Sequence, residues 1–173
     1  MSKKRIMMVM VTAVVLVFGV TGTAMALGTA DLDNEKVAVN FHREVERGGY
    51  KVVNTSEMKS WIDQKKDMLI VDTMPFEASY KKAHIPGALN FVFPIPEMTT
   101  IDDKTKNDFL IMMGQNKDRL IIFYCGFTQC TRSHNAAMWA TKLGYKNIYR
   151  HPGGIKAWTR PIIRLRNNSV GKL

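Results

Sequence analysis

Leu120–Ala137, LIIFYCGFTQCTRSHNAA, is the stretch on which the fold turns. Leu120-Ile121-Ile122-Phe123-Tyr124 is β-branched, aromatic and uncharged, the composition of a strand buried on both faces in a parallel sheet. The apolar run stops at Cys125. A polar loop follows, and a helix is predicted to begin near Arg132 or Ser133 and run to Leu143, with Gly144 just past its end. Cys125 is thereby placed at the carboxyl end of a strand, outside which open α/β sheets bind ligands. The unpaired N–H groups and positive dipole end of the following helix are expected to point back at its sulfur. Such surroundings lower a thiol pKa from about 8.5 to roughly 3.5–7.5 and supply thiolate at neutral pH. Successive N–H groups between Gly126 and Thr131 can form an anion-binding nest around it. The competing reading of Cys125 is a buried structural thiol.

On either side of this stretch, short apolar runs alternate with helical segments. Glu35–Arg47 is predicted helical and closed by Gly48-Gly49, after a small, polar stretch from Leu27 to Asn34 expected to be extended or disordered. Tyr50–Asn54 reads as a strand. Thr55 or Ser56 can cap a helix to about Lys65 with Met58, Trp61 and Ile62 on its inner stripe. Met68–Val71 and Ala88–Phe91 are further strands, with a helix opened by Pro75 and a His84-Ile85-Pro86-Gly87 turn between them. Val92–Asp103 is expected to cross the surface as a long connection, before an amphipathic helix over Lys104–Met113. Ile148-Tyr149 is a last strand and Gly153-Gly154 precedes a short helix containing Trp158. The alternation predicts an α/β fold, a parallel sheet with helices on both faces.

The first residues have the pattern of an export signal: basic Lys3-Lys4-Arg5, an apolar run Ile6–Val20, and the small-x-small triplet Ala24-Met25-Ala26. Cleavage after Ala26 and a periplasmic location are expected, with no stable membrane insertion of the cleaved chain. An uncleaved anchor is the minor alternative. The domain plan is a signal peptide over 1–26, an N-terminal segment with a helix over 27–49, one domain over 50–161, and a basic tail over 162–173. The formal net charge of +10 suits an anionic substrate, but no aromatic interleaving or binding motif accompanies the basic residues, so nucleic acid is not an expected partner. Cys125 and Cys130 are the only cysteines, and one C-x4-C pair supplies half a zinc site, so no metal is expected.

Three separated segments, in matching order, resemble the rhodanese family of sulfurtransferases. They are Val71-Asp72-Thr73 with Tyr80 through Asn90, Tyr124-Cys125 with Arg132-Ser133 and Ala136-Ala137, and Gly153-Gly154 with Ala157-Trp158. The resemblance covers about Tyr50 to Pro161. It implies a single rhodanese-like domain around a parallel five-stranded sheet, needing no cofactor, in which Cys125 takes sulfane sulfur from thiosulfate or a related donor as a persulfide. A small thiophilic acceptor such as cyanide, sulfite or a thiol, or a protein acceptor, then removes it. Gly126, Phe127, Thr128, Gln129, Cys130, Thr131 and Arg132 would cradle the substrate. Two departures stand out. Arg132-Ser133 and Ala136-Ala137 are displaced by about two residues, giving a C-x6-R spacing that does not support the C-x5-R phosphatase chemistry, and Met74 stands where the family often carries an arginine.

Several residues admit two roles. Cys130 is a resolving or disulfide-forming partner of Cys125, or a plain loop residue. A thiol–disulfide redox protein and a non-catalytic sulfur carrier are therefore the alternatives to an enzyme. Arg132 is a substrate clamp or a solvated first-turn cation. His134 faces substrate or the surface, while Asp72 is expected to be structural, His84 a satisfied turn histidine, and Met138, Trp139, Leu143 and Trp158 packing residues.

Overall fold

The computed structural model describes residues 29–160. The expected signal peptide over 1–26 and the tail over 162–173 lie outside these residues. The chain divides into two compact units, residues 1–40 and 41–173. In the first, residues 29–40 are helical, so the expectation of extended chain through Asn34 does not hold.

The second unit opens with helical residues 41–48 (α1) and continues β1 (Lys51–Val52), α2 (Thr55–Asp63), β2 (Leu69–Asp72) and a π-helical turn (Phe76–Tyr80). Then come β3 (Leu89–Asn90), α3 (Asp103–Met113), β4 (Ile121–Tyr124), α4 (Thr131–Lys142), β5 (Ile148–His151) and α5 (Gly154–Trp158). The five strands form one all-parallel sheet in the order β1-β5-β4-β2-β3. β4 is central. Its register pairs Tyr124 with Asp72 on one side and His151 on the other, so Cys125 emerges from the middle of the sheet's carboxyl edge.

Every residue of β4 is buried, as its uncharged composition predicts. Alternation divides them between two layers. Ile121 and Phe123 pack with Leu69, Val71, Phe109 and Met113 and with Ala136, Ala137 and Ala140 of α4. Ile122 and Tyr124 pack on the opposite face with Ile70, Val53 and Met58 of α2, and Trp158 rests against that cluster. Helices thus cover both faces.

Local signals set the ends of the helices. The Asn54 side chain accepts from the Glu57 N–H at 2.9 Å and caps α2, one residue before the predicted Thr55 or Ser56. Asp102 does the same for α3 through the Thr105 N–H. The segment after β3 crosses the surface as a long connection, as its composition predicts, with most of its residues exposed. It is pinned at defined points: Phe93 is fully buried, and the Asn135 amide of α4 donates to the Pro94 and Pro96 carbonyls at 2.9 and 3.0 Å while its oxygen accepts from Met98 N–H. A buried Asn satisfied in this way fixes an irregular segment against the helix.

Candidate active site

Cys125 is 1% exposed. Its Sγ lies 3.1 Å from Ser133 Oγ and faces the carbonyl oxygens of Cys130 and Phe127 at 3.3 and 3.6 Å. Burial pushes this thiol well above its ordinary value and the adjacent Cys130 sulfur pushes it further, while the Ser133 hydroxyl and amide act the other way. The expectation that the helix end keeps Cys125 ionised is therefore corrected. Burial is the leading cause, and the first turn of α4, which starts at Thr131 with Cys130 at its N-cap position, only partly offsets it through Ser133.

Cys130 has the opposite surroundings. It is half-buried, and although its side chain makes no hydrogen bond of capping geometry, its pKa is lowered to about 6. The neighbouring Cys125 thiol contributes most. The Arg132 and Gly126 amides and the Arg132 charge add to it and outweigh partial burial. Both cysteines are free. Cys130 also opens on a cavity of about 590 Å³ walled by Ile95, Pro96, Phe127, Gln129, Thr131 and Arg132. Five of the loop residues predicted to contact substrate thus reach one cavity. Gly126 and Thr128 do not line it: the Gly126 carbonyl accepts from Lys156 N–H, and the Thr128 hydroxyl turns to the Pro152 carbonyl at 3.2 Å. The Arg132 guanidinium donates to the Phe93 carbonyl, tying the loop to the cavity's far wall.

Arg150 on β5 forms the floor of the loop. Its guanidinium is fully buried and all five N–H donors are used. Nε donates to Ser133 Oγ at 3.0 Å, Nη1 to Glu44 and to the Tyr50 hydroxyl, and Nη2 to the carbonyls of Thr128 and Cys130 at 2.8 and 3.0 Å. Two carbonyls of the loop thus turn inward toward the cation. Ser133 Oγ, already accepting from Arg150, has its own hydrogen free for Cys125. Nothing in the sequence pattern singled out this arginine, although a cation inside a parallel strand requires a buried partner.

Gly154 closes the loop from the other side. Its φ is +57°, and a Cβ there would lie 2.3 Å from the Cys125 carbonyl oxygen. This approach lets the Ile155 and Lys156 N–H groups donate to the Cys125 and Gly126 carbonyls at 2.9 and 3.2 Å.

Other predicted residues have supporting places. Asp72 Oδ1 accepts from Met74 N–H at 2.8 Å, and burial raises its carboxyl pKa. His84 is exposed, stacked on Tyr80 and bonded to the Tyr80 carbonyl at 2.9 Å, as a turn histidine should be. His134 faces neither substrate nor solvent. It is fully buried between the Tyr50 hydroxyl at 2.8 Å and Glu97 at 3.4 Å, and desolvation lowers its pKa. Met74 is buried beneath Gly126. Among the described residues no cluster of three or more His, Cys, Asp or Glu is placed to hold a metal ion, and no helix is long and apolar enough to cross a membrane.

The sequence matches the rhodanese-like domain family over residues 54–161, and the chain belongs to that family. Solved structures similar to it include a single-domain sulfurtransferase from Saccharomyces cerevisiae, with 20% identity over 63% of this chain and 88% of that one and a TM-score of 0.46. A rhodanese-like domain from Anabaena sp. shares 18% identity over 70% and 87% of the two chains, TM-score 0.48. A rhodanese-related protein from Thermoplasma volcanium shares 22% over 63% and 90%, TM-score 0.45. A search of curated protein sequences returned no match.

Proposed function

We propose that this protein is a sulfurtransferase. It takes sulfane sulfur from thiosulfate or a related donor, holds it as a persulfide on Cys125, and passes it to a small thiophilic or protein acceptor. The observation that carries this reading is a free thiol at the carboxyl edge of the central strand, Cys125, with Ser133 Oγ of the following helix 3.1 Å from its sulfur and a cavity lined by the same loop beside it. The leader-like first residues support a periplasmic setting for the reaction. The test is to incubate the reduced full chain with thiosulfate, and separately with glutathione persulfide, and to measure its intact mass. A chain heavier by one sulfur atom is expected, with the increment lost in the C125A/C130A double variant. No increment with either donor refutes the reading.

Two free cysteines at the two ends of one short loop favour one second reading, a thiol–disulfide redox protein. It predicts a reversible two-electron couple in a glutathione redox titration, whereas a sulfurtransferase cycles with both thiols reduced.

A further inference from the structure

We propose that the sulfur acceptor is a small thiol carrying both a carboxylate and an apolar body, and that Phe127 and Arg132 select it at the cavity beside Cys125. This rests on the sulfur-transfer reading and names the chemistry of the molecule that removes the sulfur.

Three observations converge on the cavity. Its volume, about 590 Å³, is that of a pocket for a whole organic ligand, and cyanide or sulfite would leave most of it empty. Its wall carries two apolar side chains that the core does not claim: Ile95 is 56% and Phe127 41% exposed, and both line this one space together with Pro96. The Asn135 amide holds the Pro94 and Pro96 carbonyls, so that side of the wall is ordered before a ligand arrives. The third observation is charge. Arg132 lines the cavity and no acidic residue does. Among the described residues neither Arg132 nor Lys156 makes an ion pair. Arg132 uses Nη1 on the Phe93 carbonyl, and Lys156 Nζ stands 4.4 Å from the centre of the Phe127 ring. Two cations without an acidic partner, with an exposed aromatic ring between the walls, suit a carboxylate joined to an apolar group. The guanidinium pairs with the first and the ring packs on the second.

The cavity adjoins the reacting sulfur through the loop they share. Phe127 and Cys130 both line it, and their carbonyls lie 3.6 and 3.3 Å from Cys125 Sγ. The acceptor enters as its thiolate, which attacks the outer sulfur of the Cys125 persulfide and forms a new S–S bond. The bond between that sulfur and Cys125 Sγ breaks, and its electron pair stays on Cys125. The acceptor leaves as its persulfide, and no oxidant or reductant is consumed.

The test loads the reduced full chain with sulfur from thiosulfate or glutathione persulfide and follows unloading by intact mass. Three acceptors are compared per unit of thiolate: 2-mercapto-3-phenylpropanoate has the ring and the carboxylate, mercaptoacetate lacks the ring, and 2-phenylethanethiol lacks the carboxylate. The first should have a kcat/KM at least about tenfold above either of the others. Phe127→Ala should cut its advantage over mercaptoacetate, and Arg132→Gln its advantage over phenylethanethiol, chiefly through KM. Arg132→Lys should restore part of the latter, which a collapsed loop would not. Equal kcat/KM for the three thiols, or advantages that survive both substitutions, overturns the proposal. Calorimetry of the unloaded chain with the unreactive thioether 2-(methylthio)-3-phenylpropanoate decides independently of transfer. Binding weakened in both F127A and R132Q is expected, and no binding to the unsubstituted chain rejects the assignment. If no donor loads the chain, the sulfur-transfer reading fails while the thioether still reports whether the cavity takes this class of molecule.

Discussion

The two ends of one short loop have different surroundings. Cys125 leaves a strand and is buried, with the Cys130 and Phe127 carbonyls at 3.3 and 3.6 Å on one side of its sulfur and Ser133 Oγ of α4 at 3.1 Å on the other. Cys130 enters the helix, is half-buried and opens on the cavity. Burial raises the first thiol's pKa even though the first turn of α4 reaches back to it through Ser133. Donors at a helix start therefore do not by themselves ionise a thiol at a strand's carboxyl end when burial opposes them.

The largest expected effect comes from removing what keeps the two ends distinct. Arg150→Met deletes a buried cation whose five donors hold Glu44, Tyr50, Ser133 and the Thr128 and Cys130 carbonyls. Breaking such a network by removing one partner costs about 3–5 kcal/mol. Urea denaturation should show that loss, and Cys125 should react faster with iodoacetamide as the loop carbonyls lose their inward anchor. A change within about 0.5 kcal/mol would mean the guanidinium is not the floor of the loop.

Gly154→Ala attacks the same loop from α5 without touching a charge. The left-handed φ alone costs an alanine roughly 1–2 kcal/mol, and its Cβ would press into the Cys125 carbonyl. The loop must then move off the Ile155 and Lys156 amides. Stability should fall by about 2 kcal/mol in the same urea experiment, and Cys125 should become more open to alkylating reagents. Unchanged Cys125 labelling would show that α5 does not seal the buried end.

The difference in legibility between the two ends has a physical cause. β4 was readable because Leu120–Tyr124 is long, apolar and uncharged, and the glycines after α3 and α4 sit at positive φ where the helices were predicted to stop. The position of Cys125 followed directly. The start of α4 was not readable, since cysteine and threonine are weak signals for a helix end compared with the Asn54 and Asp102 caps. The burial that opposes a Cys125 thiolate and encloses His134 depends on packing from other elements. Arg150 and Glu44 lie 106 residues apart in sequence, and no local pattern joins them. The surface course after β3 was legible from its prolines, but its anchor, Asn135, is on another element and was not.

The smallest expected effect is the sharpest probe of the open end. Arg132 acts on Cys130 through its backbone amide and through its charge, and the charge is the weaker of the two. Arg132→Gln keeps the amide and removes the charge, so less favours the thiolate and the Cys130 pKa should rise. The sign follows from the anion: losing a nearby cation lowers the thiolate fraction around pH 6, and the difference vanishes well above pH 8, where both forms are ionised. The rise should be smaller than in C125A, which removes the leading contribution, and Arg132→Lys should largely abolish it by restoring the charge. Rates of iodoacetamide labelling between pH 5 and pH 9 measure all three variants on one scale. If R132Q moves the midpoint as far as C125A does, the Arg132 cation matters as much to Cys130 as the neighbouring thiol, and the ordering of the two is wrong.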